Sequence, residues 1–298
     1  MPDNTNALAI TEKPPKRVSE LRRTLRVMFD RPVVIGGAVV IVFMVILAIF
    51  APLIAPYPPN DQNLMATLQS PSHAHWLGTD ELGRDFLTRV IYGAQISLLV
   101  GVVAVSLAGA VGMVLGLIAG YFGGWVSNII MRFIDALLAL PPMVLMLAIA
   151  AMLGGGLKTV LIAIGIAMMP TYCRLMCGQV LSLKGNDYVT AARAGGAGNL
   201  RIMFRHLLPN SLAPMMVLMS VNLGTAILME ATLSYLGIGI LPPAATWGIE
   251  VSSGQRFILS HPILPFAPCI AITILVLAFN MVGDGLRDAL DPRLRGTL

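Results

Sequence analysis

Uncharged or nearly uncharged apolar runs, each near the ~20 residues that carry a helix across a hydrocarbon core, recur along this chain. The first extends from Val33 to Ala55, opened by Pro32 and closed by Pro52 and Pro56. Further runs cover Ile96 to Gly120, Ile129 to Leu153, Thr159 to Leu181, Leu212 to Leu236 and Pro265 to Val282. The third contains Asp135 and the pair Pro141-Pro142, the fourth has Arg174 toward its end, and the fifth is interrupted by Glu230. The strict alternation of a β-barrel strand is absent. The pattern predicts an all-α integral membrane protein with six transmembrane helices.

Basic residues give the orientation, because Lys and Arg concentrate in cytoplasmic connections. With the amino terminus inside, residues 1–32, 121–132, 174–211 and 283–298 hold sixteen of the twenty basic residues, and the opposite connections hold four. Both termini are therefore expected in the cytoplasm. The division expected is a cytoplasmic tail over 1–32, a six-span domain over 33–283 with a long cytoplasmic loop at 184–210, and a second tail over 284–298. The first span is longer than the apolar core of a signal peptide, which runs to about 15 residues, and reads as an uncleaved anchor. Its preceding segment, Thr11 to Arg31, reads as disordered or membrane-surface bound.

Composition agrees. Of 298 residues 56% are hydrophobic and 12% charged, against about 25% charged in ordinary globular domains, with a mean hydropathy of +0.80. A soluble enzyme core, a disordered chain and a disulfide scaffold are excluded, the last because Cys173, Cys177 and Cys269 all lie in apolar surroundings. The net charge of +5 follows topology and lacks the aromatic interleaving of a nucleic-acid surface, so no nucleic-acid partner is expected.

Catalytic patterns are missing. There is no H-E-x-x-H, no G-x-S-x-G and no phosphate-binding G-x-x-x-x-G-K-[ST], so energy must come from a partner or an ion gradient. His73 and His75 form a candidate metal pair beside the reading of plain loop residues. Cys173 and Cys177, at i and i+4, read as packing residues. Intramembrane charges are costly and often functional. Asp135 is either neutralised by Arg132 one turn away or by a neighbouring helix, or lines a path; Glu230 lines a water-filled path, binds a cation, or bonds to polar groups on adjacent helices. Gly112, Gly116 and Gly120 share one helix face, for packing inside the subunit or for a dimer contact. Thr79 is expected to cap a surface helix over Asp80 to Tyr92, and Asp284 to cap a terminal helix ended by Asp291-Pro292.

The loop from Asp187 to Asn210 is the most patterned polar segment. Ala191 and Ala192 favour a helix, the glycines at 195, 196 and 198 break it, and Leu200 to Leu208 reads as a second short helix before Pro209 marks entry to the fifth span. This predicts two helices and a turn on the cytoplasmic surface.

Here the chain resembles the membrane permeases of type I ABC importers. Thr190-Ala191-Ala192, Gly196 and Leu208-Pro209 match that family's E-A-A, Gly and I-x-L-P motif in order and spacing. The runs HWLGTDELGRD from His75, GLIAGYFGG from Gly116, MRFID from Met131 with Leu140-Pro141, LSYLGIG from Leu233 and GDGLRDALDP from Gly283 are similar to the dipeptide, oligopeptide and nickel permeases, on the side of the C-type subunit. Thr190 stands where the family usually has Glu, and a hydroxyl lacks the charge-assisted bond a carboxylate makes.

The resemblance implies a non-enzymatic transport subunit in a bacterial cytoplasmic membrane, forming half of a path for dipeptides or short oligopeptides. It implies contact with ATPases through Thr190, Ala191, Ala192, Arg193, Gly196, Leu208 and Pro209. It also implies a second homologous permease, two ATP-binding cassette subunits that carry ATP and Mg, and an external substrate-binding protein, this chain holding no cofactor. The rival expectation is an ion-coupled secondary transporter using Asp135 and Glu230.

Overall fold

The computed structural model describes residues 28–29 and 31–290; the expected tail before Met28 and the Asp291-Pro292 stop lie outside them. The described residues are almost wholly helical, as expected. Helix α1 covers Pro32–Ile49, α2 Phe86–Phe122, α3 Gly124–Leu138, α4 Pro142–Leu153, α5 Leu157–Leu183 and α6 Asp187–Ala194. Helix α7 is the continuous run Asn199–Tyr235, α8 is Trp247–Gly254 and α9 is Ile263–Leu290. Helices α1, α2, α5, α7 and α9 are each long and apolar enough to cross a membrane.

The remaining span is bent. Helices α3 and α4 meet at 90°, so the span expected over Ile129 to Leu153 is broken into two helices. Pro141 has no N–H to give and biases Leu140 away from helical angles, while Pro142 restarts the helix at its first position. Counting the pair as one broken span gives six.

The tightest contact joins α2 to α5. A Cβ on Gly112 would lie 2.6 Å from the Met169 carbonyl oxygen, one on Gly116 2.3 Å from that of Cys173, and one on Gly120 3.0 Å from that of Cys177. Three glycines four residues apart thus meet three carbonyls four residues apart, and the two backbones touch, with the Cβ atoms of Tyr172, Met176 and Val180 seated against the glycines. The glycine face packs inside the subunit, and Cys173 and Cys177 are buried against it. The main core lies around this pair: Val100 and Ala104 from α2, Met146 from α4, Ile164 and Tyr172 from α5, and Ala226 and Leu233 from α7. Inside it, the Asn222 side-chain amide donates to the Tyr172 hydroxyl at 2.9 Å, linking α7 to α5.

Three local expectations fail for physical reasons. Thr79 caps no helix: it pairs with Asp85 in an isolated β-bridge, and Asp85 caps α2 by accepting from the Thr88 N–H at 2.8 Å. Residues 86–92 therefore belong to the spanning helix rather than to a surface one. Leu200 to Leu208 is no separate helix, because a π-turn over Ile202–Leu207 carries the backbone past Pro209 into the span. Pro209 and Pro214 have no N–H to give to the Arg205 and Asn210 carbonyls; in the same turns the Asn210 side chain donates to the His206 oxygen at 2.6 Å and the Ser211 hydroxyl to that of Leu207 at 3.0 Å. Asp284 caps nothing either, since α9 runs through it to Leu290, where Asp288 pairs with Arg31 at 2.6 Å.

A methyl group at the backbone contact is the direct test. Gly116→Ala is expected to lower the thermal unfolding midpoint in detergent, by about 1–3 kcal/mol of overpacking. Gly36→Ala, which meets open space, is expected to leave the midpoint unchanged or raise it slightly through better helix propensity.

Candidate functional site: the α6 foot, the intramembrane charges and the Arg89 cap

The loop after α5 is a short helix ended by a defined stop. Gly196 has φ +79, its N–H donates to the Arg193 carbonyl at 3.0 Å, and the Ala197 N–H donates to that of Ala192 at 3.0 Å. These two bonds close a Schellman motif, which favours glycine at the left-handed position. Of the three glycines of the break, Gly196 is the one that needs its positive φ; Gly195 and Gly198 have negative values.

Val189 anchors the foot, buried in a cluster with Leu117, Met176, Val180, Ile202, Met203, Leu207 and Met215. The Tyr121 hydroxyl adds a bond to the Asn199 side chain at 2.7 Å, and the Lys184 ammonium one to the Gly120 carbonyl at 3.1 Å. Thr190, Ala191, Arg193, Gly196 and Pro209 are exposed, while Ala192 and Leu208 are half-buried. A Cβ on Gly196 would meet nothing. The arrangement presents a small-residue helix and its glycine cap outward while one apolar side holds it to α2, α5 and α7.

The intramembrane charges are far apart in character. Asp135 pairs with Arg174 of α5, at 2.6 Å, rather than with Arg132. Both side chains remain more than half exposed. Glu230 is fully buried, accepting from the hydroxyls of Ser97 and Ser234 at 2.9 Å each. Ser234 in turn accepts from the Ile240 N–H at 3.2 Å, which fixes the turn after α7. His75 meets Asp85 at 2.8 Å, and among the described residues no group of three or more His, Cys, Asp or Glu is placed to hold a metal ion.

One cluster was not singled out from sequence. At the opposite end of α2 from the foot, Arg89 is buried and gathers two loops and α8. Its Nε donates to Glu250 Oε1 at 2.8 Å and its remaining nitrogens reach the Pro59 carbonyl at 2.9 Å and the Ala244 carbonyl at 3.4 Å. Asp80 lies 3.8 Å away, itself holding Arg84 Nε at 2.6 Å and accepting from the Leu82 and Arg84 N–H groups. Trp247, buried at the start of α8, donates from its indole to the Val90 carbonyl at 2.9 Å. Sequence offered only a weak signal, an Arg and a Glu each inside an otherwise apolar stretch, because 161 residues separate the partners.

Comparison with known proteins fits this geometry. Residues 112–296 match the family described as the inner membrane component of binding-protein-dependent transport systems, and residues 19–71 match the N-terminal transmembrane domain of oligopeptide transport permease C. The chain belongs to this permease family. It is 44% identical over 278 residues to the dipeptide transport system permease protein DppC of Alkalihalophilus pseudofirmus, covering 93% of this chain and 91% of that one. The probable D,D-dipeptide permease DdpC of Escherichia coli K12 is 43% identical over 89% of each chain. The glutathione permease GsiD of Pectobacterium atrosepticum is 39% identical over 92% of this chain and 90% of that one. The solved inward-facing MetNI methionine ABC transporter shares the fold, with a TM-score of 0.54 and 16% identity over 68% of this chain and 96% of that one. The permease is thus a membrane-embedded transport subunit and not an enzyme.

Burial pushes the Glu250 carboxyl above its ordinary range, and the neighbouring guanidinium of Arg89 pulls it back. Arg89→Met is therefore expected to destabilise the permease by about 3–5 kcal/mol, the usual result of removing one partner of a buried pair. Without the guanidinium the folded-state carboxyl rises further, so the variant's stability is greatest below the unfolded value and is lost as pH rises through the folded one. Unfolding midpoints of the variant and the parent should converge toward acid pH; a constant gap would remove Glu250 from the account.

Proposed function

We propose that this permease is one half of the translocation path of an ATP-driven importer for dipeptides or short oligopeptides. The reading takes the foot around Thr190 to Gly196 as the contact with an ATPase. It takes the face carrying α6, with both termini, as cytoplasmic, in the cytoplasmic membrane of a bacterium. A second homologous permease supplies the other half, two ATP-binding cassette subunits hold ATP and Mg, and an external binding protein delivers the cargo. This chain contributes a wall and a mechanical contact, with no bond-making residue.

The observation that carries the reading is the foot itself. It is rigidly stopped by the Schellman cap, its motif residues are mostly exposed, and its root lies in the cluster that joins α2, α5 and α7. A push on α6 enters α5 directly, and α5 is in backbone contact with α2. Closure of ATPases on ATP would then tilt this unit as a body and switch the path between its two openings. The three relatives named above, two for dipeptides and one for glutathione, support small peptidic cargo. Arg193 adds a charge to the foot, while Thr190 offers only a hydroxyl, so docking rests on shape and backbone more than on an ion pair at that position. An ion-coupled transporter is not favoured: Asp135 is paired with Arg174, Glu230 is sealed among hydroxyls, and the family is that of binding-protein-dependent systems.

Three experiments test this. Gentle solubilisation of the tagged permease should recover two ATPases and a second permease, and transport in vesicles should require ATP; uptake by this chain alone would overturn the reading. Gly196→Val forces a left-handed residue that costs an L side chain about 1–2 kcal/mol. It is expected to leave membrane insertion intact while uncoupling ATP hydrolysis from uptake. For orientation, Leu200→Cys and Leu259→Cys, both at exposed positions, should react with an impermeant thiol reagent from opposite sides.

A further inference from the structure

Helix α5 has 27 residues and is about 40 Å long at ~1.5 Å per residue. A hydrocarbon core of about 30 Å centred on it leaves roughly 5 Å at each end. Arg174 stands nine residues before Leu183, about 14 Å from that end. The Asp135–Arg174 pair therefore lies inside the apolar zone, in the third nearest the foot, yet its side chains are 53% and 56% exposed.

On α5 the exposed strip around Arg174 is polar or small, bounded by the exposed apolar Ile162 and Leu181, with Phe133 exposed on α3. Between residues 163 and 180 the exposed positions of α5 are Thr171, Arg174 and Gly178, one turn apart and all polar or small. Helix α1 shows the opposite chemistry at the same exposure, with Val39, Val42, Phe43 and Ile46 outward. Hydrocarbon suits the second surface. Against the first it would leave the outer oxygens of Asp135 and most guanidinium N–H groups of Arg174 without solvent.

We propose that the Asp135–Arg174 pair and the strip Thr171–Gly178 face the water-filled translocation path, presenting one anion and one cation side by side to the passing solute. This rests on the importer reading above. The pair also ties α3, just before its 90° bend, to the helix that leads into the foot. A zwitterionic solute with a free ammonium and a free carboxylate is the class such a wall suits, each end meeting its opposite charge while water fills the remainder.

Thiol accessibility in the complete complex, reconstituted in vesicles with the partner permease and both ATPases, is the test. Cys173, Cys177 and Cys269 are first replaced by Ala, and ATP-driven uptake by this parent is measured; dependence on the ATPases checks the importer reading by itself. Single Asp135→Cys, Arg174→Cys and Gly178→Cys variants are then exposed to a charged, membrane-impermeant methanethiosulfonate from the α6 face, with Val39→Cys as reference. Gly178→Cys leaves the ion pair intact and has open space for its side chain, so it serves should either pair variant fail to assemble. Since the thiolate is the reacting form and needs water, the path positions should react at least about tenfold faster than residue 39. Rates equal to that of residue 39 in a parent that still transports overturn the proposal. That holds whether a lipid-soluble maleimide reaches the sites instead or a cross-link joins them to another chain.

Discussion

The approach of α2 and α5, carbonyl against glycine over three successive turns, governs the molecule. Where side chains separate two helices, rotamer changes let one slide against the other. With main chain on main chain there is nothing to rearrange, and the contact is kept or lost whole. The other helices are fitted to this unit by isolated polar links in an apolar interior: Tyr172 to Asn222, and Ser97 to Glu230. Each link satisfies a group that hydrocarbon would leave bare, which fixes register as well as proximity.

The two ends of the unit differ in kind. At the α8 end, buried charge dominates, with Arg89 bonded to loops that are remote in sequence and Asp80 closing a turn around Arg84. The charged arms of Arg84, Arg89, Asp80 and Glu250 are all paired there, while the neighbouring Thr88 hydroxyl is buried without a partner. At the α6 end a single apolar cluster holds the foot, helped by Tyr121 and Lys184, and the motif residues look outward. One end is closed within the chain, and the other leaves most of its motif residues facing outward.

Much of this was legible in one dimension. A crossing helix needs a long apolar window, so the spans can be counted from sequence, and Gly196 announces its own backbone conformation. The Pro141-Pro142 pair marked an interruption, yet its 90° angle depends on how α4 packs against α5, with Met146 buried beside Ile164. One proline misled in the other direction. Pro209 suggested a boundary, but a π-turn over Ile202–Leu207 carries the helix through it. Thr79 looked like a cap because Asp80 and Glu81 follow it; Asp85, six residues on, does that work at the true start of α2. The partnership of Arg89 with Glu250 was out of reach, since no local pattern joins residues 161 apart.

That separation has a consequence for biogenesis. At a translation rate of 5–20 residues per second, Glu250 emerges about 10–30 s after Arg89. During that interval Asp80, made earlier and 3.8 Å away in the folded chain, is the acidic partner available to the guanidinium while α3 to α7 are threaded into place. The cap thus locks late: the nascent subunit passes through a stage in which α1 to α7 are made and Arg89 still lacks Glu250, with α8 and α9 yet to follow.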